Sequence, residues 1–161
     1  MAKLNLKFFC TNLLIVLSIF LIDRISKFYI IELATLEKEL DIYVTSYLNL
    51  YLVWNKGIAF GLFSFNSSFM YSVVSLIILI IIIILALIAI KELSTFKRYS
   101  FLVILGGATG NLFDRFYYTA VPDFIDLHIQ NNHWFIFNVA DIFISLGIAC
   151  LIYAEIFFKY K

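Results

Sequence analysis

The sequence predicts one compact integral membrane domain, mainly α-helical, with four transmembrane helices and a small β-rich segment outside the lipid. Three observations carry that prediction. Of the 161 residues 63% are hydrophobic and only 14% charged, a little over half the charge of an ordinary soluble domain. Four apolar stretches reach or approach the roughly 20 helical residues that cross a hydrocarbon core. The basic residues collect in segments that an up-and-down arrangement places on one side.

The first stretch runs from about Phe8 to Ile31. KLNLK followed by FFCTNLLIVLSIFLI has the make-up of a secretory signal, but LIDRISKFYI follows where a small-x-small cleavage site would stand, so a retained helix is expected. The outer segment, about Glu32–Ser68, comes next. Its portion Asp41–Phe65 is rich in Tyr, Val, Thr, Leu and Phe, which suits short strands at the membrane surface. Asn55-Lys56-Gly57 reads as a turn between two of them, and Trp54, Phe60, Phe63 and Phe65 suit the headgroup region. The second helix, about Phe69–Ile90, contains SLIILIIIIILALIAI without one charge and can face lipid over most of its circumference. The third covers about Tyr99–Tyr118 and the fourth about Phe135–Phe158.

Lys3 and Lys7 precede the first helix, Lys91, Lys97 and Arg98 fill the second link, and Lys159 and Lys161 close the chain. In the outer segment Lys38 and Lys56 are offset by Glu32, Glu37, Glu39 and Asp41, and the loop Thr119–Trp134 has no Lys or Arg. The positive-inside rule then puts both termini and the second link in the cytoplasm, and the outer segment and the loop around Asp123 on the other side. A net charge of +1 without a basic run gives no case for nucleic acid. Cys10 and Cys150 lie in apolar stretches as small hydrophobes. His128 and His133 are too few and too isolated for a metal site.

An ionisable side chain at a membrane helix centre costs roughly 2.5–3.5 kcal/mol, so polar groups there are paired or useful. Asp23 and Lys27, four residues apart with the acid first, form a favourable pair whose role reads as structural anchoring. Asn111 and Arg115 share a helix face beside Asp114, and Gly106-x-x-x-Gly110 allows close helix approach. They serve either a packing network or a site that binds substrate backbone or headgroup. Asp123 stands behind Pro122, just past the third helix, and Asp126 three residues on reads as a solvated loop acid. Asn138 and Asp141 share a face at the start of the fourth helix, near the positive end of its dipole.

Topology brings Asp123 and Asp141 to the two ends of one outer loop. Two carboxyls in contact do not both ionise cheaply, so one keeps a proton while the other stays charged, the state that activates water on a carbonyl. Ser26 beside Lys27 is no competing nucleophile, because helix neighbours point apart. Two alternatives stand beside this reading. One is a transporter or channel with a proton relay through Asp23, Asp114 and Asp141, and the other is a structural subunit of a larger complex.

In order along the chain, LIDRISK, NKGIAFGLF, GGATGNLFDR, VPDFIDLH and FNVADIF resemble the blocks of the lipoprotein signal peptidases, the signal peptidase II family. The resemblance implies four transmembrane helices with a small extracytoplasmic sheet or cradle and a short extracytoplasmic helix. It also implies an aspartic endopeptidase of the bacterial cytoplasmic membrane. Such an enzyme cuts a prolipoprotein before a diacylglyceryl-modified cysteine, needs no metal or organic cofactor and is inhibited by globomycin. Asp123 and Asp141 would be its catalytic dyad. Asn111, Arg115 and Asn138 would contact substrate or support the dyad, and Asn55, Gly57 and Phe60 would belong to the segment that covers it. Asp23 and Asp114 would be structural. Pro122, and Ile136 before the FN pair, depart from the family's usual residues. Nothing resembles a dedicated subunit seam, so a monomer in contact with membrane lipid is expected.

Overall fold

The computed structural model describes residues 6–37, 40–57, 68–129 and 132–157. In chain order the elements are α1 (Leu6–Glu37), β1 (Asp41–Thr45), β2 (Leu48–Asn55), α2 (Ser68–Lys91), α3 (Thr95–Tyr117), β3 (Val121–Ile129), β4 (Asn132–Phe137) and α4 (Val139–Phe157). α1, α2 and α4 are each long and apolar enough to cross a membrane. α3, at 23 residues, is long enough as well, about 34 Å at 1.5 Å per residue. It carries Lys97, Arg98, Asp114 and Arg115 because the other three helices surround it. α1, α2 and α4 all pack on α3, and α3 buries ten residues, among them Asp114 and Arg115. The outward faces of the others are apolar: Leu14, Leu21 and Ile25 on α1, Ile77, Ile81 and Ile84 on α2, Leu146, Ile152 and Ile156 on α4. In a hydrocarbon solvent that costs nothing.

Small residues on α3 set the spacing. A Cβ on Gly106 would stand 2.6 Å from Ile19 Cβ, and one on Gly110 would stand 2.5 Å from Asp23 Oδ2. The Gly106-x-x-x-Gly110 face is therefore the seat of α1. On the opposite side a Cβ on Gly107 would meet the Ala140 carbonyl oxygen at 2.5 Å. That contact is backbone and must be relieved by moving α4. Gly107→Ala is expected to cost about 1–3 kcal/mol and to lower the thermal midpoint in detergent; an unchanged midpoint would contradict the packing described.

The four strands form one antiparallel sheet in the order β1-β2-β3-β4. β2 pairs with β3 across the whole α2–α3 hairpin, with Asn55 opposite Val121 and Val53 opposite Asp123. One face of the sheet packs on the end of α1, where Ile30, Leu40 and Phe124 are buried with Leu33, Leu50 and Leu52 against them.

Four expectations are corrected here. The region Thr119–Trp134 is not a plain loop but holds β3 and most of β4, because β2 offers it a paired edge. Phe135–Phe137 end β4 and do not begin the fourth helix, which starts at Val139; Ile136 lies opposite Asp126 in the sheet. The turn between β1 and β2 lies at Ser46–Tyr47, whereas Asn55 ends β2 and its Oδ1 accepts the Gly57 N–H at 2.8 Å, an Asx turn. Asp126 is not solvated. Its side chain is wholly buried, with one oxygen 3.5 Å from His128 Nδ1. Among the described residues there is no helix besides the four, so the short outer helix has no counterpart there. Phe60, Phe63 and Phe65 lie outside the described residues.

Candidate active site

At the sheet end of the bundle the polar residues form two adjoining groups. The deeper group joins α1 to α3. Arg24 grips Asp114 with both prongs, Nη1 on Oδ1 and Nη2 on Oδ2 at 2.8 Å. Nη2 also reaches Asp23 Oδ2 and the Gly110 carbonyl at 3.2 Å. Lys27 Nζ lies 3.0 Å from Asp23 Oδ1 and 2.6 Å from Asp114 Oδ2. Asp23, Lys27 and Asp114 are essentially inaccessible. Two acids and two bases cancel, the condition for holding such groups out of water. The remaining Asp23 capacity goes to α4, where Oδ1 accepts the Ala140 N–H at 3.0 Å. The expected Asp23–Lys27 contact is present. Arg24 was missed, although its signal was available: Asp23 and Asp114 against Lys27 alone leave one negative charge without a partner.

The upper group surrounds a cavity of about 340 Å³. Asn55, Asn111, Arg115, Asp123, Asn138 and Asp141 line it, and Ile78, Ala108, Ile144 and Ile148 from α2, α3 and α4 form its apolar wall. Asp123 sits on β3, only 3% exposed. Its Oδ2 accepts from Asn55 Nδ2 at 2.8 Å and its Oδ1 from Asn138 Nδ2 at 2.6 Å. Burial first, and the neighbouring Asp141 second, push the Asp123 carboxyl up to about 6, against the pull of the two amide donors.

Asp141 is fixed differently. Asn138 Oδ1 accepts the Asp141 N–H and Asp141 Oδ2 accepts the Asn138 N–H, each at 3.2 Å. This reciprocal pair is a capping box at the start of α4. The spacing that suggested a shared face thus also caps the helix and aims its acid. Asp141 Oδ1 accepts from Asn111 Nδ2 at 2.8 Å. Arg115, 5% exposed, donates from Nη2 to the Gly57 carbonyl and lies with its guanidinium 5.3 Å from the centre of the Tyr71 ring. Tyr71 was likewise missed, being one aromatic among many.

The structure therefore brings Asn55, Gly57, Asn111, Arg115, Asp123, Asn138 and Asp141 together, with Asp23, Lys27 and Asp114 one layer below. Two acids share one water-sized space, each oxygen already accepting an N–H, between apolar walls. Such a site suits proton transfer to and from a guest that arrives through lipid.

An apolar helix bundle that encloses an acid-bearing cavity beneath a small sheet places the protein among integral membrane proteins with an embedded polar site. Two solved structures share the fold, each described as a bacterial membrane enzyme. One has a TM-score of 0.76 at 28% identity, covering 92% of this chain and 89% of its own. The other has a TM-score of 0.72 at 28% identity, covering 92% and 94%. The family described as signal peptidase (SPase) II matches residues 15–157. A lipoprotein signal peptidase of Pelagibacter ubique is 53% identical over 161 residues, covering 100% of this chain and 96% of its own. One of Anaplasma phagocytophilum is 43% identical over 137 residues, covering 84% and 85%. The chain belongs to the signal peptidase II family of membrane peptidases.

Proposed function

We propose that the protein is a membrane aspartyl endopeptidase that removes the signal peptide of a prolipoprotein just before a diacylglyceryl-modified cysteine. The observation that carries this reading is the shared cavity of Asp123 and Asp141 at the sheet end of an apolar bundle. The raised Asp123 carboxyl supports a resting state with the proton on Asp123 and the charge on Asp141. Asp141 takes a proton from water, and the oxygen attacks the scissile carbonyl while Asp123 gives its proton to the carbonyl oxygen. As the tetrahedral species collapses, Asp141 passes its proton to the leaving amine and Asp123 recovers its own. Atoms and charge balance with one water consumed.

Asn111 and Asn138 hold the acids, and Asn55 and Arg115 border the space for the substrate backbone. Gly57, clasped by Arg115, and Phe60 belong to the segment that covers the substrate. All the polar groups of the cavity come from one chain, in keeping with a monomer. The distribution of lysine and arginine supports cytoplasmic termini and a site at the outer face of the bacterial cytoplasmic membrane, where a signal helix and its lipid emerge together. Globomycin-type inhibitors would occupy the same cavity. The neutral pairing of Asp23 and Asp114 with Arg24 and Lys27 speaks against a proton relay through those acids.

The test is purified protein in lipid, given a diacylglyceryl-modified precursor and the same precursor unmodified. Cleavage before the cysteine of the first only is expected; equal cleavage of both, or of neither, would overturn the reading. The pH profile follows from the sign of the Asp123 shift. A carboxyl raised from 3.8 to about 6 keeps its proton below that pH and loses it above. With the singly protonated pair as the working form, kcat/KM is expected to decline as pH rises through about 6. A rise through the same range would contradict it.

A further inference from the structure

The deeper charge group is more than an anchor, because one of its bonds leads into the cavity. Lys27 Nζ spends one donor on Asp23 (3.0 Å), one on Asp114 (2.6 Å) and the third on Asn111 Oδ1 at 2.8 Å. Charge balance within the group is complete without that third bond. Asn111 then hands Nδ2 to Asp141 Oδ1 at 2.8 Å.

The direction of this chain is dictated by donor chemistry. An ammonium has three N–H groups and no lone pair, so the Asn111 amide has to turn its oxygen toward Lys27 and its NH2 toward Asp141. The other two asparagines of the cavity are set in the same manner by backbone N–H groups, which also only donate. Gly57 N–H fixes Asn55, and Asp141 N–H fixes Asn138. All three amides therefore present Nδ2 to a carboxylate. For Asn111 alone the fixing group is a side chain, a buried cation on a different helix. A reversed Asn111 would point its oxygen at Asp141 and demand a proton there, removing the charged acceptor that takes the proton from water.

We propose that Lys27 is a positioning residue for the reaction, acting through the Asn111 amide to hold Asp141 as the acceptor of the pair. The proposal rests on the dyad reading above. Lys27 touches neither substrate nor reacting atoms; its ammonium is two hydrogen bonds from the water. Its buried charge raises the strength of the orienting bond, since charge-assisted bonds are shorter and stronger than neutral ones.

The test separates this role from stability. Lys27→Met alone leaves a buried acid without its partner, so it is combined with Asp23→Asn. That pair of changes keeps the group neutral and preserves an oxygen for the Ala140 N–H. In D23N/K27M, kcat on a diacylglyceryl-modified precursor peptide in mixed micelles is expected to fall about 10- to 100-fold, with KM and the thermal midpoint near wild type. Placed on Asn111→Ala, the same two changes are expected to add no more than about twofold, because the route is already cut. Wild-type kcat in D23N/K27M, or losses that multiply with Asn111→Ala, would overturn the proposal. D23N/K27Q serves the same comparison should D23N/K27M not fold, since glutamine carries an acceptor and permits the reversed amide. Full activity in Asp141→Asn would instead sink the dyad reading. An inactive Asp141→Asn beside an unaffected D23N/K27M sinks only the role given to Lys27.

Discussion

Asp141→Asn is expected to lower kcat for signal-peptide release by about 10³–10⁴-fold, at the upper end of what a positioned general base contributes. The change keeps the shape of the side chain, so α4 should still form. It loses the group that takes the proton from water. It also turns an NH2 toward either Asn111 Nδ2 or the Asn138 N–H, both donors, so the capping box weakens as well. Asp123→Asn should be nearly as damaging for a different reason. An asparagine there cannot pass a proton to the carbonyl oxygen, and its NH2 would face Asn55 or Asn138. Residues that act as a unit are not additive. The double variant should therefore be no slower than the worse single one. Rates measured on a lipidated precursor at fixed pH settle this. Either single variant working at more than about a tenth of the wild-type rate would rule out the mechanism.

The second large effect concerns stability. Asp114→Ala removes the acid that both Arg24 and Lys27 hold and leaves two cations against Asp23 in a space closed to water. Breaking a buried pair from one side costs about 3–5 kcal/mol, a large share of the stability of an ordinary domain. The expected outcome is a sharply lower thermal midpoint and little protein recovered from membranes. Removing Arg24 at the same time, as Arg24→Leu, restores neutrality and should return part of the loss. If Asp114→Ala kept a wild-type midpoint, the charge group would not be the joint between α1 and α3 described above.

These effects depend on features that differ in how openly the chain displays them. Helix existence was legible because lipid demands long apolar runs, and α2 shows one of the plainest. The strands after α3 were not. Phe135–Phe137 continue an apolar run into α4 without a local break, and the pairing that makes β3 a strand comes from β2, on the far side of two helices. No local periodicity records a partner so distant in sequence. Asp126 illustrates the same limit, since its burial depends on the sheet around it. The acids and amides of the cavity could be named from their cost in an apolar setting, and topology brought Asp123 and Asp141 to one end. What could not be read was which amide serves which acid. That assignment depends on which neighbouring groups only donate, as Lys27 does for Asn111, and on three-dimensional contacts between α1, α3 and α4.

One structure tests the central claim most directly: the protein bound to an uncleavable lipidated peptide carrying a hydroxyl in place of the scissile carbonyl. The hydroxyl oxygen is expected within about 2.6–3.2 Å of a carboxylate oxygen of both Asp123 and Asp141, in the space the attacking water would fill. A hydroxyl held by only one of the two acids, with the other turned away, would contradict the account.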